Sequence, residues 1–115
     1  MFVASSQDEF IATVQLVYAH ADPDLGNGTT RAYVQALEVS ASHRRQGVAQ
    51  RLMAHLETVA MERGFSVLTL QVEPDNGAAL ELYTKLGYTA FKRSSWQWDG
   101  REYPTLCLEK RLSTA

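Results

Sequence analysis

The apolar positions of this chain change period along its length. "FVASS" at residues 2–6 is a short strand-like run, and "FIATVQLVYAHA" from Phe10 is rich in β-branched and aromatic residues. "RAYVQALEVS" alternates Tyr33, Gln35, Leu37 and Val39 against Ala32, Val34, Ala36 and Glu38, the two-residue period of a strand. Between the last two runs lies "ADPDLGNGTT", Ala21 to Thr30, whose Pro, Gly, Asn and Asp predict a loop. The three runs are expected to form an antiparallel meander, with "QDE" joining the first to the second.

From Val48 the period becomes helical. Leu52, Met53, Leu56, Val59 and Ala60 fall on one face, Gln50, Arg51, Glu57, Thr58 and Glu62 on the other, and Gly64 is placed to stop the helix. "FSVLTLQVE" then alternates Leu68, Leu70 and Val72, which predicts a strand. Strand, helix and strand in this order predict a βαβ unit with parallel strands and a right-handed crossover. "EPDNGAALELYTKLGY" predicts a turn and a second helix, with Ala79, Leu82, Tyr83 and Leu86 inward and Gly87 at its end. The remainder reads as two strands about a hairpin turn at Asp99-Gly100. The fold class is therefore α/β of the α+β type: a mixed, mostly antiparallel sheet around a parallel βαβ core.

With 115 residues the chain has room for one domain, residues 1–115. A net charge of -2 argues against a general nucleic-acid binder, which needs a basic surface. Cys107 is the single cysteine, so no intrachain disulfide forms and a cytoplasmic location is expected. No run approaches a membrane span. His20, His43, His55 and Cys107 lack ligand spacing, so no metal is expected. The exposed edge of the meander gives the chain reason to form a homodimer. Trp96 and Trp98, alternating onto one hairpin face, suit sheet packing or a dimer contact ahead of an acceptor-pocket wall.

The chemistry concentrates at "SHRRQGVAQ". The first N–H groups of a helix have no partner within it, and the dipole there favours anions. Gly47 lets a ligand approach the backbone, Ala49 keeps the surface low, and Arg44 and Arg45 add positive charge, which together describe a phosphate cradle. Neither a Walker lysine signature nor a Gly-x-Gly-x-x-Gly fingerprint is present.

Arg44, Gly47 and Ala49 instead match the Arg/Gln-x-x-Gly-x-Gly/Ala loop of the GNAT superfamily of N-acetyltransferases, and the chain resembles that family in order as well. Asn76 opens the second helix, Tyr83 follows within it, and "LGY", Leu86 to Tyr88, ends it. The resemblance covers nearly the whole chain, most specifically Leu37 to Tyr88. It implies the GNAT-like acyltransferase fold, acetyl-coenzyme A as cosubstrate, a primary amine of a small molecule or peptide as acceptor, and direct attack without a covalent enzyme intermediate. It also implies that Arg44, Arg45, Gln46, Gly47, Val48 and Ala49 bind the pyrophosphate largely through backbone N–H groups. The strand carrying Leu37 and Val39 would bond the pantetheine arm, with an N–H near Val39 for the oxyanion. Tyr83 would protonate the leaving thiolate or hold it by a hydrogen bond. Asn76 would contact the cofactor besides its ordinary work as a helix cap.

Two departures matter. In the subgroup that acetylates protein N-termini a glutamate lies five residues before the asparagine, and here that position is Gln71, which leaves Glu38, ahead of Glu73, as candidate base. Family members also begin with another strand and one or two helices, whereas this chain is expected to enter at the second strand. A non-catalytic acyl-coenzyme A binding module is the alternative these departures keep open.

Overall fold

The computed structural model describes residues 2–6, 9–39 and 47–112, the side chains of residues 2–13, 36–39 and 96 excepted. Strands β1 (Phe2–Ser6), β2 (Glu9–Val17) and β3 (Arg31–Val39) form the expected meander, each antiparallel to the next. Helix α1 (Val48–Glu62) leads to β4 (Val67–Val72), which pairs parallel with β3. After α2 (Gly77–Lys85), β5 (Thr89–Trp98) and β6 (Arg101–Arg111) form an antiparallel hairpin. The sheet order is β1-β2-β3-β4-β6-β5, so β6 is inserted between β4 and β5.

One face of this sheet carries the core. Val14, Ala32, Val34, Leu68, Leu70, Val72 and Leu108 meet Val48, Leu52, Met53, Leu56 and Ala60 of α1, together with Tyr83 and Tyr88. The α1 residues recur at helical spacing and make one apolar stripe. In α2 only Tyr83 is fully buried, while Ala79, Leu80, Leu82 and Leu86 pack partly against the same cluster.

Both helices end in the same way, and the sequence encodes it. After the cap residue Arg63, Gly64 (φ 89°) donates to the Met61 carbonyl and Phe65 to that of Ala60. After Leu86, Gly87 (φ 99°) donates to Thr84 and Tyr88 to Tyr83. This pair of bonds is the Schellman motif, which needs a left-handed residue after the cap and favours an apolar contact between the residue beyond it and the last turn. The "LGY" pattern is thus a helix stop with Tyr88 folded back on Tyr83.

The opposite face is covered by residues 20–30, read from the sequence as a plain loop. Leu25 is fully buried there and its carbonyl accepts the Thr69 hydroxyl. Asp22 and Asp24 hold the Lys92 ammonium, and Arg31 donates to the Asp24 carbonyl and pairs with Glu109 at 2.6 Å. Asn27 Oδ1 accepts from the N–H groups of Thr29, Thr30 and Arg31, which closes the turn into β3. The segment is a strap, tied to three strands by polar contacts around one buried leucine.

The pairing of β2 with β3 carries one irregularity: Gln15 pairs with Gln35 but Thr13 pairs with Glu38, so the register shifts by one residue between them.

Candidate active site

The parallel pair at the centre of the sheet is short. β3 and β4 are in register only at Arg31–Val67, Ala32–Leu68 and Tyr33–Thr69. β3 continues from there to Val39 and β4 to Val72, each still paired with its outer neighbour. Among the described residues the facing edges carry no ladder along residues 34–39 and 70–72, so the backbone groups there that point into the parting are candidates to bond another partner. Leu37, Glu38 and Val39 all lie on this parted stretch of β3.

Residues 40–46 follow, and Arg44, Arg45 and Gln46 lie outside the described residues. The description resumes at Gly47, the residue that opens α1 with φ 76° and ψ 10°. This left-handed conformation favours glycine, and among the described residues an added Cβ would meet nothing closer than the Gln50 side-chain oxygen at 3.9 Å. Gly47 itself has no side chain to cap the helix, and the first turn of α1 holds no acidic residue. Val48 is buried in the core and Ala49 is half-buried, so each fixes the start of the helix while its N–H belongs to the first turn.

The second helix differs in this respect. Asn76 accepts the Ala79 N–H on its side chain at 3.2 Å and so caps α2. Among the described residues α1 has no such cap, which makes its N-terminal amides candidates to receive an anion.

Tyr83 reaches the core from the last turn of α2 and shares a buried cluster with Leu70 and Val72, the β4 residues beyond the parting. Burial pushes its phenol up to about 12. Tyr88 is buried beside it and its hydroxyl faces Glu57 of α1 at 3.5 Å; burial first, then the Glu57 carboxylate, raises its phenol. Glu57 also pairs with Lys110 of β6 at 2.7 Å, and the Lys110 ammonium sits 5.7 Å from the centre of the Tyr88 ring. Sequence periodicity assigned Glu57 to the solvent face; its link to Tyr88 and Lys110 depends on a strand far along the chain.

The other candidates separate. Gln71 pairs in register with Cys107 and is half-buried, and Glu73 is exposed in the turn before α2. Cys107 is fully buried and burial raises its thiol, which disfavours the thiolate of a covalent mechanism. Among the described residues no cluster of His, Cys, Asp and Glu is placed to hold a metal.

Comparison with known proteins bears on this geometry. The model of the acetyltransferase (GNAT) family matches residues 1–88. N-alpha-acetyltransferase 30 of Schizosaccharomyces pombe is 36% identical over 93 residues, covering 80% of this chain and 59% of its own length. N-alpha-acetyltransferase MAK3 of Arabidopsis thaliana is 37% identical over 65 residues, 56% of this chain and 34% of its own. The chain thus spans about three fifths of the first relative and a third of the second. Among solved structures, Ard1 from Thermoplasma volcanium superposes with a TM-score of 0.79 at 18% identity, covering 96% of this chain and 69% of that one. The ribosomal-protein-S18-alanine N-acetyltransferase of Escherichia coli gives 0.71 at 24% identity, covering 96% and 67%. These two structures share the fold.

Proposed function

The chain belongs to the GNAT acetyltransferase family, and we propose that it transfers the acetyl group of acetyl-coenzyme A to a primary amine, with a protein or peptide N-terminus as the favoured acceptor. The observation that carries this reading is the early parting of β3 from β4, followed in the chain by a helix that a left-handed glycine opens and that has no side-chain cap among the described residues. The N-terminal acetyltransferases among its relatives support the acceptor class.

In this mechanism the pyrophosphate of acetyl-coenzyme A rests on the amides at Gly47, Val48 and Ala49, with Arg44, Arg45 and Gln46 in the same loop. Backbone groups of β3 around Leu37 and Val39 receive the pantetheine arm in the opening. Asn76, already occupied as a cap, lies where α2 begins and contacts the cofactor through its remaining amide donors. The neutral amine attacks the thioester carbon, and an N–H near Val39 stabilises the oxyanion. Glu38, or a water beside it, takes the proton of the ammonium before attack.

The Tyr83 phenol then distinguishes two ways of handling the leaving group. A thiol has a reference pKa of about 8.5, so proton transfer from a group near 12 to the thiolate is uphill by several pKa units, at roughly 1.4 kcal/mol each. Tyr83 therefore acts as a neutral hydrogen-bond donor to the developing thiolate, and as the C–S bond breaks the sulfur takes up the proton that the amine nitrogen sheds on becoming the amide.

The test is calorimetric titration with acetyl-coenzyme A, followed by thiol release over peptide and small amines. Binding with thiol release supports the reading. Absence of binding overturns the cradle, and binding without release on any amine favours a non-catalytic acyl-coenzyme A module, the reading that Gln71 supports because a carboxamide cannot accept the proton.

A further inference from the structure

We propose that the outer edge of β5 from Arg93 to Trp98, with the turn residue Asp99 beyond it, is a self-pairing surface, through which two copies of the chain form one continuous sheet about a twofold axis at Trp96.

Among the described residues β5 is the last strand of the sheet, and no strand pairs with its outer side. Its direction of hydrogen bonding follows from the hairpin. Asp99 and Gly100 have φ values of 52° and 72°, the two-residue turn with both central residues left-handed. Trp98 and Arg101 are then the hydrogen-bonded pair beside the turn, and the register is unbroken back to Lys92 and Cys107. Trp96–Tyr103 and Ser94–Thr105 are hydrogen-bonded by alternation. Ser95 and Gln97 therefore turn their N–H and C=O groups outward along β5, as Glu102 does along β6, where Pro104 turns out its C=O alone.

The two outward rows differ. β4 leaves β6 after Val72–Leu106, and past that point β6 carries Pro104, which has no N–H to offer an incoming strand. The first half of β5 is guarded too, by the register shift between Ala90 and Lys92 and by the charge of Lys92. Its second half has no such guard. "SSWQW", residues 94–98, is uncharged and free of proline and glycine, and Trp98 is 67% exposed, the single exposed large apolar side chain among the described residues.

Charge selects a second copy as the occupant and fixes the register. Only outward-facing residues can bond across the axis, so odd positions must oppose odd positions. With Trp96 opposite Trp96, Ser95 bonds Gln97 of the other copy, Ser94 lies across from Trp98, and Arg93 falls opposite Asp99 at both ends. Moving the axis to Ser95 puts Arg93 against Gln97 and Asp99 against Phe91 and loses both charge pairs. The sequence is self-complementary in one alignment, as a twofold interface requires.

Sedimentation of the full chain over a wide concentration range tests this, independently of acetyl transfer. The parent is expected to dimerise, and Gln97→Pro to weaken dimerisation by about tenfold or more, because it removes an outward donor and leaves the hairpin bonds intact. Oxidation of Trp96→Cys is expected to trap a covalent dimer, since opposed residues at a non-hydrogen-bonded site lie within disulfide reach, and Ser95→Cys is not. Far-ultraviolet dichroism checks that each variant is folded. A monomeric parent overturns the proposal, as does a dimer indifferent to Gln97→Pro or one trapped through Ser95→Cys instead.

Discussion

Tyr83 and Tyr88 meet edge to face, their ring centres 5.9 Å apart and their planes at 71°. The contact joins the last turn of α2 to the residue after its glycine stop, and Glu57 and Lys110 hold Tyr88 from α1 and β6. The side chain proposed to face the leaving thiolate is thus braced by a ring that two other elements, α1 and β6, fix in place.

Tyr83→Phe keeps that ring contact and removes the hydroxyl. Steady-state kinetics are expected to show kcat lower by about a hundredfold with acetyl-coenzyme A affinity within about twofold of the parent, as fits loss of a group acting on the leaving atom. Unchanged turnover would remove Tyr83 from the mechanism.

The phenol also makes stability depend on alkaline pH. Its folded pKa, about 12, stands above the reference value near 10, so the native state holds the proton more tightly. That stabilisation is complete below pH 10 and fades as pH rises toward 12. Urea unfolding across this range should show a loss of roughly 2 kcal/mol that Tyr83→Phe reduces. A flat profile would mean that the phenol is hydrated in the native state.

Gly47 allows strain to be separated from obstruction. Alanine and glutamate both meet the cost of the left-handed backbone, roughly 1 kcal/mol, yet alanine adds one carbon, with nothing among the described residues closer to it than 3.9 Å. Gly47→Glu is expected to weaken acetyl-coenzyme A binding far more than Gly47→Ala by calorimetry, while the two lose similar thermal stability. Equal affinities would show that no phosphate lies on this turn.

Asn76→Ala removes the α2 cap and should cost about 1 kcal/mol in urea unfolding. If Asn76 also touches the cofactor, Asn76→Ser, which retains a cap, still binds acetyl-coenzyme A more weakly than the parent; equal binding limits Asn76 to capping.

The strap gives a prediction away from the site. Thr69→Val leaves the buried Leu25 carbonyl without its donor and is expected to destabilise the fold by about 1 to 3 kcal/mol. Acetyl-coenzyme A affinity should hardly change, and a large change would mean that the strap reaches the cofactor.

Local signals carried most of what could be read in advance. Gly64, Gly87 and Asp99-Gly100 mark turns that depend on neighbouring residues alone, and the order of strands and helices follows from them with the apolar period. The parting of β3 from β4, the insertion of β6 and the register shift near Glu38 are set by pairing between distant strands, which no local window records. Leu25 was a missed sign: one apolar residue amid "ADPDLGNGTT" marked a loop with something to bury. Of the candidate site, the places of Gly47 before α1, Asn76 before α2 and Tyr83 on the inner face of α2 were legible by spacing, and the structure adds that Asn76 caps its helix and that burial raises the Tyr83 phenol.

The insertion of β6 sets the order in which this chain can finish folding. β4 waits on that side for a strand made after β5, because its antiparallel neighbour runs from Arg101 to Arg111. A chain emerging from the ribosome can assemble the meander and α1 early, but β4 keeps one ladder unfilled until Arg111 is free. Until then the apolar cluster lacks Leu108, and Glu57 has no lysine to hold it.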